Sequence, residues 1–155
     1  MRTSPVADAN KLYLDDLSVG QTFTTGTHRI EPGAIKDFAA EFDPQWFHLD
    51  EDDAKDSFFG GLAASGWHTA GITMCLVVET LPLAGGVIGA GGELQWPAPT
   101  RPGDILQATI EVLELTPSKS RPERGMGVVR ITTRNQRDEV VQTFRVKVLL
   151  WRRPA

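Results

Sequence analysis

The hydrophobic pattern changes period partway along the chain, and this change limits the possible architectures more than any other feature. In the first half, apolar residues recur at helical spacing: Ile35, Phe38, Ala39 and Phe42 fall at i, i+3, i+4 and i+7. From Val87 onward the spacing is two. Leu106, Ala108, Ile110 and Val112 alternate with Gln107, Thr109 and Glu111, and Phe144, Val146 and Val148 alternate with Thr143, Arg145 and Lys147. Helices gathered early and strands gathered late predict an α+β architecture, with a curved sheet covering one buried helix. An antiparallel meander is the simplest topology for the late strands.

Local signals set the expected boundaries. Residues 1–13 read as an N-terminal tail and 14–151 as one domain. A strand is predicted near Thr22 to Ile30, and Pro32 suits the first position of the helix that follows. Pro44 stops that helix, because the residue before proline is pushed out of helical conformation, and Asp43 is left at its C-terminal lip. Asp50 is placed to cap a second helix through Ala54. The segment Ser65 to Leu81 carries apolar residues around much of its circumference, so it is expected to be the core helix, buried on most sides. Strands follow at Val87–Trp96 and Gly127–Thr133, and Asn135–Asp138 reads as a hairpin turn.

Composition narrows the function classes. With 155 residues and 41% hydrophobic content, the chain can bury a core without disulfides or a structural metal. Its formal charge of -4 argues against nucleic acid as a partner. Cys75 is the single cysteine, which excludes an intrachain disulfide and fits a reducing, cytoplasmic setting. Met1 to Lys11 lacks the apolar centre of a secretory signal, and Ala70–Val78 is far short of the ~20 apolar residues that span a bilayer, so no membrane crossing is expected.

One segment carries residue types suited to chemistry: Asp43-Pro44-Gln45-Trp46-Phe47-His48. A proline bend between a carboxylate and an imidazole can bring both round to one water molecule, and such a pair shuttles protons near neutrality. The same spacing also suits an aspartate that ends a helix and a half-buried histidine between Phe47 and Leu49. Spacing alone leaves both readings open.

Several elements in fixed order carry a family resemblance. The run from Phe38-Ala39 through Asp43-Pro44-Gln45-Trp46-Phe47-His48-Leu49-Asp50 and Ala54 to Phe59-Gly60-Gly61-Leu62-Ala63-Ala64-Ser65-Gly66 resembles the signature of the MaoC-like dehydratases, the (R)-specific enoyl-thioester hydratase group. Trp96-Pro97-Ala98-Pro99-Thr100-Arg101-Pro102-Gly103-Asp104 resembles that family's element leading into a late strand. The resemblance runs from about Leu14 to Leu150. It implies a hot-dog fold, an antiparallel sheet wrapped around a long helix, here Ser65–Leu81. It also implies a homodimer or dimer-based assembly, an acyl thioester of coenzyme A or acyl carrier protein as substrate, and no metal or redox cofactor. The family's catalytic pair falls on Asp43 and His48, and the amide that receives the thioester oxygen falls on Gly66. In the family, water adds syn and gives the (R)-3-hydroxyacyl product. Where many members have Asn-Pro, this chain has Gln45 and Trp46, and the bulky Trp46 is expected to fill or reshape the acyl pocket.

The remaining candidates have plainer readings. His68 reads as a buried, hydrogen-bonded helix residue and His28 as a structural or exposed strand residue. The acids Asp50, Asp52 and Asp53 beside His48 read as a solvated first helical turn rather than a metal site. Lys119-Ser120-Arg121-Pro122-Glu123-Arg124 could receive coenzyme A phosphates, and the Gly85–Gly92 run reads as a loop beside a tunnel. Two other functions stay open: a hot-dog thioesterase, and a non-catalytic acyl-binding subunit.

Overall fold

A computed structural model describes residues 10–155. In chain order it has β1 (Thr22–Arg29), α1 (Pro32–Phe42), α2 (Glu51–Ala54), α3 (Gly66–Thr80), β2 (Ile88–Gln95), β3 (Ile105–Pro117), β4 (Arg124–Arg134) and β5 (Val140–Trp151). All strands join one antiparallel sheet in the order β1-β3-β4-β5-β2. This is the α+β hot-dog arrangement that the sequence implies. Leu106, Ala108, Ile110 and Val112 turn inward on β3 and Val146, Val148 and Leu150 on β5, as their alternation requires. Val77 of α3 and its C-cap Leu81 pack into the resulting core.

Four expectations are corrected. Only β3, β4 and β5 form a meander; β2 lies beyond β5, because the Pro-rich segment 96–104 carries the chain across to the other side of the sheet. The expected strand Val87–Trp96 forms as Ile88–Gln95, so the Gly89–Gly92 part of the glycine run, also read as loop, is strand, held by backbone pairing with β5. Helix α3 buries one face only: Thr69, Ile72, Thr73, Leu76 and Val77 face in, while Trp67, Met74 and Val78 are exposed and leave an apolar stripe outside. The expected tail 1–13 lies outside the described residues up to residue 9, yet its end is docked. Leu12 N–H donates to the Pro82 carbonyl at 2.8 Å, Leu12 accepts from Ala84 at 2.8 Å, and Tyr13 is buried.

Two turns hold the site end of the molecule. Arg101-Pro102-Gly103-Asp104 is a tight turn, closed by Asp104 N–H donating to the Arg101 carbonyl at 3.0 Å. Pro102 sets the first φ, and Gly103 takes a φ of 82° that a side chain would resist. The Asn135–Asp138 turn forms as expected, with Asp138 N–H on the Asn135 carbonyl at 3.1 Å.

Candidate active site

Helix α1 ends where Pro44 requires, and Asp43 is its C-cap. The chain then makes one 3-10 turn, Trp46–His48, whose closure returns His48 toward Asp43. His48 Nδ1 lies 2.6 Å from the Ala63 carbonyl, so that nitrogen carries the proton and donates. In the neutral ring Nε2 is therefore the basic nitrogen, and it stands 3.4 Å from Asp43 Oδ2. His48 is 4% exposed, which fixes the ring's orientation.

Gln45, one of the two departures from the family pattern, reaches back and donates to Asp43 Oδ1 at 2.7 Å. Burial raises the Asp43 carboxyl, but hydrogen bonds from Gln45 and Ser65 and the charge of His48 outweigh it and hold the group below the usual carboxylate range. Asp43 is thus held as an anion beside Nε2 of the imidazole. Trp46, the other departure, is 51% exposed and packs edge-on against Phe47 rather than filling the pocket.

Ser65 caps α3 and accepts from Trp67 N–H at 3.3 Å, while His68 and Thr69 N–H donate to the Ser65 carbonyl. That leaves the Gly66 amide as the first-turn donor free for a ligand. His48 and Gly66 line one cavity of about 410 Å³ together with Phe59, Thr69, Trp96 and Thr100. Asp43 is not among its lining residues and joins the site through His48 and Ser65. A side chain at Gly66 would come within 2.6 Å of the Trp96 ring, so glycine is required for this close approach.

Two residues missed from sequence shape the site. Trp96 forms the wall over Gly66. Arg101 donates to the carbonyls of Phe59, Gly61 and Leu62, clamping the loop that presents the Ala63 carbonyl to His48. Both lie in the Trp96–Asp104 element that the resemblance picked out, but nothing in their spacing says where they point.

The other candidates are not brought to the site. His68 stacks on Phe38 at 4.6 Å and is not hydrogen-bonded as expected: its Nδ1 is buried without a partner. Burial, then the neighbouring His28, holds it below the ordinary histidine range. His28 itself is exposed. Asp50 accepts from the Asp52 and Asp53 amides, and Asp52 pairs with Lys55. Among the described residues no cluster of three His, Cys, Asp or Glu could hold a metal ion. Nor is any described helix long and apolar enough to cross a membrane. The basic loop after Pro117 lies at the end of β3 away from the site, about 40 Å along a strand of this length.

Known proteins share this fold. A solved MaoC-like dehydratase from Rhodospirillum rubrum superposes with a TM-score of 0.91 at 60% identity, covering 93% of this chain and 99% of that one. The uncharacterized protein YdeM of Bacillus subtilis is 35% identical over 91% of this chain and 100% of its own length. A 3-hydroxybutyryl-CoA dehydratase of Methylorubrum extorquens is 35% identical over 71% of this chain and 69% of its own length. The family profile described as "MaoC like domain" matches residues 16–135, most of the folded unit, and the chain belongs to this family of hot-dog dehydratases and hydratases.

Proposed function

We propose that the protein is a cytoplasmic hydro-lyase that reversibly adds water across the 2,3 double bond of an enoyl thioester. The observation that carries this reading is the bond from His48 Nδ1 to the Ala63 carbonyl, which turns Nε2 toward the Asp43 carboxylate. In the neutral ring Nε2 and Asp43 Oδ2 are both acceptors, 3.4 Å apart, and a water molecule donates to both with its two hydrogens. The Asp43–His48 pair takes one proton as the water oxygen bonds C3, and it returns a proton to C2. The two groups act as one base. The thioester oxygen, which gains charge as C3 is attacked, meets the Gly66 amide at the positive end of α3. The reading calls for no metal or redox cofactor.

A panel of trans-2-enoyl-CoA substrates tests it through loss of absorbance at the conjugated double bond. Hydration of any of them supports the reading. Thiol release from saturated acyl-CoA without hydration would make the protein a thioesterase. The non-catalytic alternative depended on Trp46 filling the pocket, and the exposed position of Trp46 removes that support.

The working form is a homodimer joined along β2, an edge strand beside the exposed apolar stripe of Trp67, Met74 and Val78. Light scattering at micromolar concentration should give twice 17.0 kDa; a monomer would overturn this assignment.

A further inference from the structure

A second cavity, of about 220 Å³, lies between α3 and the sheet, walled by Ala70, Met74, Val77, Leu94, Phe144 and Val146 among others. It begins one residue beyond Gly66, at Trp67, whose ring packs edge-on against Trp96 at 5.2 Å. Trp96, which walls the His48 cavity, donates from its indole Nε1 to Gln142 Oε1 at 2.9 Å, and Gln142 lines the second cavity. The Trp96–Gln142 pair is therefore the partition between the two chambers.

Gln142 is fully buried, and its Nε2 has no hydrogen-bond partner. The amide cannot be turned round to cure this, because indole only donates and so holds the oxygen of Gln142 against Trp96. The backbone aims the residue: Thr133 pairs with Gln142 and Arg134 with Val140, so Val141 is the extra residue of a bulge. Past the bulge, Gln142 joins Phe144, Val146 and Val148 on the cavity face. A buried donor without a partner is costly unless something supplies an acceptor. Water is a poor candidate, since it needs two to four polar partners. The other polar side chains lining this cavity are Thr73, whose hydroxyl shares a 2.8 Å bond with Thr133, and Trp67, whose indole only donates.

We infer that Gln142 is a specificity residue, whose Nε2 donates to a neutral oxygen, a keto, hydroxyl or ether group, on an acyl tail that passes Trp96 into the apolar cavity. This rests on the enoyl-thioester reading of the Asp43–His48 site. A carboxylate tail is disfavoured, because the cavity lining holds no cation and a single amide does not compensate a buried charge. By comparison with a 150 Å³ cavity that takes benzene, the space suits a tail on the order of nine heavy atoms.

The test uses the full chain with decanoyl-CoA and its 6-, 7-, 8- and 9-oxo analogues in calorimetric titrations, beside hydration of the matching 2-enoyl-CoAs. One oxo isomer should bind about ten- to a hundred-fold tighter than decanoyl-CoA, and Gln142→Met should bring that ratio close to one. Gln142→Val gives the same readout should the Met variant not fold. The inference is overturned if the wild type prefers no oxo isomer. It is overturned equally if the variant weakens both ligands while keeping their ratio, since Gln142 would then only prop Trp96. Hydration of decenoyl-CoA without an oxo preference defeats this inference alone. An oxo preference in binding with no hydration of any substrate defeats the hydratase reading alone.

Discussion

The two chambers on either side of Trp96 are built by opposite means. The chamber with His48 is made of irregular chain: a helix end, one 3-10 turn, the loop through Ala64 and the Pro-rich segment 97–100. Its functional side chains are held by hydrogen bonds, His48 by Ala63 and Asp43 by Gln45 and Ser65. The second chamber is made of one helix and a sheet, and packing sets its shape. One chamber therefore fixes the orientation of its reacting groups, which chemistry needs, while the other fixes size and leaves one polar atom unused. Reaction and selectivity become separable, and substitutions on each side should separate them.

The largest effect belongs to the irregular side. Asp43→Asn and His48→Gln should each lower kcat for enoyl-CoA hydration by about 10²- to 10⁴-fold, the range for loss of a positioned acid or base, with unchanged circular dichroism. Near-wild-type turnover in both variants would remove the proposed machinery altogether. A drop in only one would break the claim that the two act as a unit.

A substitution on the shared wall should disturb both chambers. In Gly66→Ala the added methyl meets the Trp96 ring at 2.6 Å, and Trp96 in turn holds Gln142. Overpacking of this kind costs about 1–3 kcal/mol, and displacement near reacting atoms can lower turnover by about 10²-fold. Thermal unfolding and kcat should therefore fall together. Loss of kcat with stability intact would mean that the glycine acts through the ligand alone.

The same contrast explains what could be read from the sequence. The regular chamber's sheet wall was legible, because inward residues on β3 and β5 repeat every second position, whereas the one-sided burial of its helix, α3, was not. Which strand lies beside which was not, since β2 has almost no apolar alternation and its place is set by a long crossover. Gln142 was hidden as well: it continues the two-residue spacing of Phe144, Val146 and Val148, but as a polar residue it adds nothing to the hydrophobic alternation. In the irregular chamber Asp43, His48 and Gly66 were legible as motif positions, and Ser65 as a helix cap. Gln45 and Trp46 illustrate the limit: adjacent in sequence, both drew notice as departures, yet one turns in to Asp43 and the other out to solvent. That difference is decided by the single 3-10 turn between Asp43 and Leu49, which side-chain chemistry does not encode.

The smallest expected effect concerns Gln45. Its amide favours the ionised form of Asp43 and works against the burial that would raise this carboxyl. Because the folded pKa is depressed, the stabilisation is present above the unfolded pKa and is lost as pH falls through the folded one. Activity that needs the carboxylate should follow the same direction, so the part of the acid limb of kcat/KM that belongs to Asp43 lies below the usual aspartate range. Gln45→Leu removes the donor and lets the pKa rise, moving that limb to higher pH while the plateau near neutrality changes little. His48 keeps its bond to Ala63 in this variant, so the pair retains its geometry. A pH profile of hydration checks it: a limb that does not move would assign the low pKa to Ser65 and His48 instead, and a lowered plateau would show that Gln45 positions the carboxylate as well as charging it.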